Sequence, residues 1–158
     1  HRDLHSFPTR RSSDLDPANR SAKEYLENST MRIREQEEER RMIKAQRFAD
    51  EGLSLLEKDD FNGARGKFQE ALSVHPESLE VKKYLSIVEE KRRNFDESYK
   101  DYERGFELYL RGDYENAKFF FDKAIGLYPR NEKAVEYLHK SEDELRRKEE
   151  ARKKAVRV

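Results

Sequence analysis

The 158-residue chain has no cysteine, no tryptophan, four prolines and six glycines. Without cysteine there is no disulfide, no thiolate metal site and no thiol nucleophile. Neither sign of charge is in excess: 34 basic and 34 acidic residues cancel, so no global field steers the chain to nucleic acid or an anionic membrane. No apolar run approaches the roughly 18 residues that cross a bilayer, and no hydrophobic signal segment is visible at the N-terminus. The chain is expected to be soluble, with nothing to choose between cytoplasm and export. A large globular core is also excluded by a composition of 43% charged and 34% hydrophobic residues. Such a chain borders on the disordered class unless its few apolar residues fall at helical spacing. They do.

An internal repeat organises those residues. Laying 45–78 over 98–131, an offset of 53, puts Gly52 on Gly105, Leu55 on Leu108 and Asp60-Phe61 on Asp113-Tyr114. It puts Ala64 on Ala117, Phe68 on Phe121, Ala71-Leu72 on Ala124-Ile125, Pro76 on Pro129 and Tyr84-Leu85 on Tyr137-Leu138. Each position has a task in a helix–turn–helix. Gly52 and Gly105 let a neighbouring helix come close, at roughly 1 kcal/mol of helix propensity. Asp59-Asp60 and Gly112-Asp113 make the turn. Ala64 and Ala117 leave room that Phe68 and Phe121, four residues on, fill. Pro76 and Pro129 stop the second helix.

This pattern, Gly-x-x-Leu, Asp-aromatic, Ala-x-x-x-Phe-x-x-Ala and a closing Pro, resembles the tetratricopeptide repeat, a helical hairpin of about 34 residues. The resemblance implies an all-α fold of tetratricopeptide-like hairpins, an α-solenoid fragment, joined by long charged helices. The expected organisation is a non-native leader at 1–15, the remnant of an upstream repeat with a charged helix at 16–44, and a hairpin at 45–78. A connecting helix at 79–97, a second hairpin at 98–131 and a charged C-terminal helix at 132–158 follow. Two positions depart from the family: position seven is Glu51 and Arg104, and position four is Phe48 but Asp101, which predicts shifted packing in the second unit. The prolines stand 53 apart rather than about 34. The surplus makes either a third helix per unit or a longer first helix. The longer helix is preferred, because Asn94-Phe95-Asp96 is a weak break.

The segment "HRDLHSFPTRRSSDL" begins like a kinase catalytic loop, but no Asn, Gly-rich loop or lysine strand supports that reading. It resembles translated sequencing-adapter sequence. Pro17 precedes Tyr25 by eight residues, as Pro76 precedes Tyr84, so Asp16-Pro17 reads as the end of another hairpin.

The chemistry-bearing residues argue against an enzyme. No pair of the four histidines has metal-ligand spacing in residues 16–158, and runs such as "EQEEER" read as solvated helix faces. No cofactor and no small-molecule substrate are implied. Arg111-Gly112-Asp113 is explained by the turn, and the glycosylation-like triplets at Asn19 and Asn28 by polar helix starts. The tail "LRRKEEARKKAVRV" holds seven basic and two acidic residues but no aromatic for base stacking, which argues against nucleic acid.

The resemblance implies a protein-interaction scaffold that binds a peptide or helix of an unidentified protein on the concave surface. The implied contact residues are Leu53, Leu56, Tyr99, Tyr102, Phe106 and Tyr109. The carboxylate-clamp subtype would need Lys and Asn where Ala49, Leu53, Tyr102 and Phe106 stand, so a clamp is not expected. The alternative is a structural element that self-associates through its helices as a homo-oligomer.

Overall fold

A computed structural model describes residues 17–157; the leader at 1–15 and Asp16 lie outside the described residues. Five helices make up the described residues: α1 (Pro17–Glu57), α2 (Phe61–Val74), α3 (Leu79–Leu110), α4 (Tyr114–Leu127) and α5 (Glu132–Val156). Among the described residues there is no strand, and the fold is all-α. Each helix packs on the one before it and the one after it in the chain.

The turns follow from their residues. After α1 the backbone turns at Asp59, φ 59°, and after α3 at Gly112, φ 78°. These equivalent positions need the left-handed region, which Gly reaches freely and Asp tolerates better than most residues. Asp60 N–H then donates to Leu55 O at 3.0 Å, and Asp113 N–H to Leu108 O at 3.0 Å. Each of these aspartates caps the next helix: Asp60 accepts from Gly63 N–H at 2.9 Å and Asp113 from Asn116 N–H at 3.3 Å. Arg111-Gly112-Asp113 is therefore C-cap, left-handed turn residue and N-cap. At the far ends Pro76 and Pro129 follow the helix stops, and Ser78 and Asn131 cap α3 and α5.

Between the helices the same small-and-large pattern recurs. Ala64, Phe68 and Ala71 of α2 are buried between α1 and α3, and Ala117, Phe121 and Ala124 of α4 between α3 and α5. A Cβ on Gly52 would lie 2.6 Å from the Phe68 ring, and one on Gly105 2.7 Å from the Phe121 ring. These two glycines are what allows each phenylalanine to reach the opposing backbone.

Helix α3 runs through Asn94-Phe95-Asp96 without a break. Its N-terminal half covers α2 with Val81 and Val88, and its C-terminal half faces α4 with Ser98, Asp101 and Gly105. The shifted packing expected from Asp101 does not occur: Gly105 meets Phe121 as Gly52 meets Phe68. Asp101, 1% exposed, is accommodated instead by Lys123 of α4. That ammonium donates to Oδ1 at 3.2 Å and sits 2.9 Å from Oδ2, which receives charge but no directed hydrogen bond. The first half of α1, before Ala45, is almost wholly exposed.

Candidate partner-binding surface

Two residues of the sequence-derived set, Leu53 and Leu56, lie on the C-terminal turns of α1 beside a groove of about 540 Å³. Phe61 of α2, Lys91 and Asn94 of α3, and Leu127, Tyr128, Pro129 and Arg130 at the end of α4 complete its lining. The groove thus lies between the first unit's turn and the second unit's closing loop. Its walls are aliphatic and aromatic; Glu57, Asp59, Lys91 and Arg130 supply charge of both signs.

A turn-to-turn clasp closes one side of it. Tyr128 O–H donates to Asp59 Oδ2 at 2.7 Å, and Arg130 Nη1 donates to the same oxygen at 3.0 Å and to Glu57 O at 3.2 Å. Burial, then the bond to the Asp59 carboxylate, pushes the Tyr128 hydroxyl up to about 12. At neutral pH it is a firm donor, holding the two turns at a fixed separation. The Phe95 ring packs against Tyr128 at 5.0 Å and Phe61 at 5.6 Å, which stiffens the same wall from behind.

The aromatic set of the second unit is differently placed. Tyr102 lies 6.1 Å, Phe106 4.9 Å and Tyr109 5.2 Å from Tyr137 of α5, ring centre to ring centre. Tyr102 also packs on Phe121 at 6.0 Å, and its hydroxyl is raised above the ordinary tyrosine value by burial. These three are half-buried and pack against the second core. Tyr99 is half-buried beside Phe95, at 4.8 Å.

The repeat-signature residues Gly52, Ala64, Phe68, Ala71, Gly105, Ala117, Phe121 and Ala124 are all buried, and Pro76 and Pro129 stand exposed at the helix stops. The basic tail is engaged locally: Arg146 pairs with Asp143, Arg147 with Glu144 and Lys153 with Glu149. Lys148 reaches back to the second turn, donating to Gly112 O at 3.0 Å and lying 4.4 Å over the Tyr114 ring. Among the described residues no cluster of His, Asp and Glu is arranged to hold a metal ion, and no helix is long and apolar enough to cross a membrane.

Sequence reasoning missed Asp59, Phe95, Tyr128 and Arg130 as parts of this surface. Their only local signal is the pairing of Tyr128-Pro129 with His75-Pro76; the contact partner is about 70 residues away in the chain. These elements define an all-α protein of successive helical hairpins, with a mixed-character groove between the first turn and the loop after α4. Comparison with protein-family profiles, curated proteins and solved structures gives no match.

Proposed function

We propose that the chain is a non-enzymatic protein-interaction scaffold of the tetratricopeptide type, taking an apolar peptide or helix segment in the groove between its two units. The observation that carries this reading is the groove itself. It joins Leu53 and Leu56, the inward positions of the first hairpin, to Phe61, Leu127 and Tyr128 beneath a hydrogen-bonded clasp. Concave apolar sites rimmed by a few fixed polar groups are where extended or helical peptides anchor. The family reading is supported by the recurrence at an offset of 53, in which equivalent residues turn, cap and pack alike.

Peptide selection against the full chain tests the proposal. Peptides with two or more large apolar anchors are expected to be enriched. Their affinity is expected to fall at least about tenfold on Leu56→Asp, roughly the loss of one buried anchor. Phe119→Asp, on an exposed face of α4, leaves it unchanged. Selected peptides that bind Leu56→Asp as tightly as the parent exclude the groove.

A further inference from the structure

One face of α1 repeats a face that the molecule covers twice elsewhere. Counted from the proline, positions five, eight, nine and twelve are Val81, Tyr84, Leu85 and Val88 after Pro76, and Ala134, Tyr137, Leu138 and Ser141 after Pro129. At helical spacing these four make a single stripe. Val81, Val88, Ala134 and Ser141 are buried, and the tyrosines pack on the neighbouring phenylalanine: Phe68–Tyr84 at 5.4 Å and Phe121–Tyr137 at 6.0 Å. After Pro17 the same count gives Ala22, Tyr25, Leu26 and Ser29. Here Tyr25 is 74% and Leu26 65% exposed.

We propose that this stripe of α1 seats a partner helical hairpin whose inward helix carries a small-x-x-x-Phe-x-x-small ridge. The chemistry of the occupant is read from the two covered copies. In both, the ridge is Ala, Phe and Ala: Ala64, Phe68 and Ala71 in α2, and Ala117, Phe121 and Ala124 in α4. The phenylalanine stacks against the stripe's tyrosine, and the alanines let the helices close. A second folded copy of this chain cannot supply that ridge, because both of its ridges are already buried on two sides. The seat also continues an interface that exists, since the C-terminal half of the same helix packs on α2.

One feature of the covered copies is absent. Arg65 pairs with Glu89 at 3.3 Å and Lys118 with Glu142 at 2.7 Å, each glutamate standing at position thirteen. On α1 that position is Thr30, whose Oγ1 donates to Leu26 O at 2.8 Å. The partner therefore needs no basic residue after its first small one. Recognition rests on the apolar stripe, and this seat is separate from the groove at Leu53 and Leu56.

The test supplies the ridge. A copy of residues 45–75 is inserted directly before Pro17 of the full chain, where fusion keeps its local concentration high. The same hairpin is also added to the unmodified chain as a free peptide. Amide exchange over residues 20–33 is expected to slow at least about tenfold in the fused chain, and measurably with saturating peptide. Leu26→Asp in the fused chain, or Phe68→Ala in the inserted copy, returns that exchange to the unfused rate while the body is unaffected. Unchanged exchange in both formats overturns the proposal. So does arm protection in the unfused chain that fades on dilution and is lost with Leu26→Asp, which would assign the face to a second copy.

Discussion

The two units of the molecule share a frame and differ in what fills it. The frame is a set of positions whose job tolerates little change: Gly52 and Gly105, Asp60 and Asp113, Phe68 and Phe121, and the caps Ser78 and Asn131. The filling is apolar in the first unit, with Ala45, Phe48 and Ala49 along α1. In the second unit the matching residues of α3 are Ser98, Asp101 and Tyr102. Close approach of two backbones fixes the frame, whereas the space beside it accepts either hydrocarbon or a satisfied polar network. The second unit has such a network: Asn131 Nδ2 donates to Ser98 Oγ at 2.9 Å, and Ser98 Oγ donates to Ala124 O at 2.7 Å.

Removing the large residue of the frame should have the greatest effect in either unit. Phe68→Ala and Phe121→Ala each delete a fully buried ring and should cost about 3–5 kcal/mol, measured by urea unfolding. Phe121 packs on both Tyr102 and Tyr137, against Tyr84 alone for Phe68. Its truncation is therefore the more severe, by about 0.5–1.5 kcal/mol for the additional aromatic pair. Equal losses would mean that the aromatic filling of the second unit adds nothing to the frame.

Adding a methyl to the frame is the next test. Gly52→Ala and Gly105→Ala drive Cβ into a phenylalanine ring, at a cost of about 1–3 kcal/mol for overpacking, offset by about 1 kcal/mol of helix propensity. Gly105 should be the worse site, because its Cβ would also lie 3.1 Å from the Ala117 carbonyl, which cannot rotate away. A rise in the unfolding midpoint for either variant would show that the close approach is not the reason for glycine.

Cap for cap, the units should differ by the network. Ser78→Ala removes one bond, to Val81 N–H, and should cost about 1 kcal/mol in urea unfolding. Asn131→Ala removes the equivalent cap on Ala134 N–H and also the bond to Ser98, for about 2 kcal/mol in all. If the two variants unfold alike, the buried network is energetically silent.

What could be read from the sequence divides along the same line as frame and filling. The turns, caps and Gly–Phe contacts depend on residues a few positions apart or on one repeated spacing, so Asp60, Gly112 and Phe121 disclose their tasks locally. Asp101 did not: a carboxylate at a core position reads as displaced packing until Lys123, 22 residues on, is seen beside it. The aromatic set of the second unit could not be placed from the sequence for a related reason. Tyr102, Phe106 and Tyr109 repeat at helical spacing whether they face solvent or Tyr137, and only the path of α5 decides. The clasp was beyond reach, since Asp59 and Arg130 are brought together by the summed rotation of the three helices between them rather than by any local pattern.

The smallest expected effect concerns the clasp, the contact through which one unit's turn meets the other's. Tyr128 is a neutral donor in the folded chain, with its hydroxyl pushed up to about 12 by burial and by Asp59. An unfolded tyrosine titrates near 10. Between about pH 10 and 12 the folded chain thus holds a proton that the unfolded chain releases, and stability falls as pH rises. The contribution is fully present below pH 10. Tyr84 and Tyr102 are raised in the same direction, by the bond to Glu80 and by burial respectively, so part of the alkaline loss is theirs. Tyr128→Phe should lower stability at pH 7 by about 1 kcal/mol, the usual worth of one hydrogen bond. It should also flatten, without abolishing, the fall above pH 10 in thermal unfolding. A variant that loses stability at pH 7 yet keeps the full alkaline slope would detach the clasp from the titration. Loss of neither would mean that the Tyr128 bond adds nothing to a junction already made by Arg130 and α3.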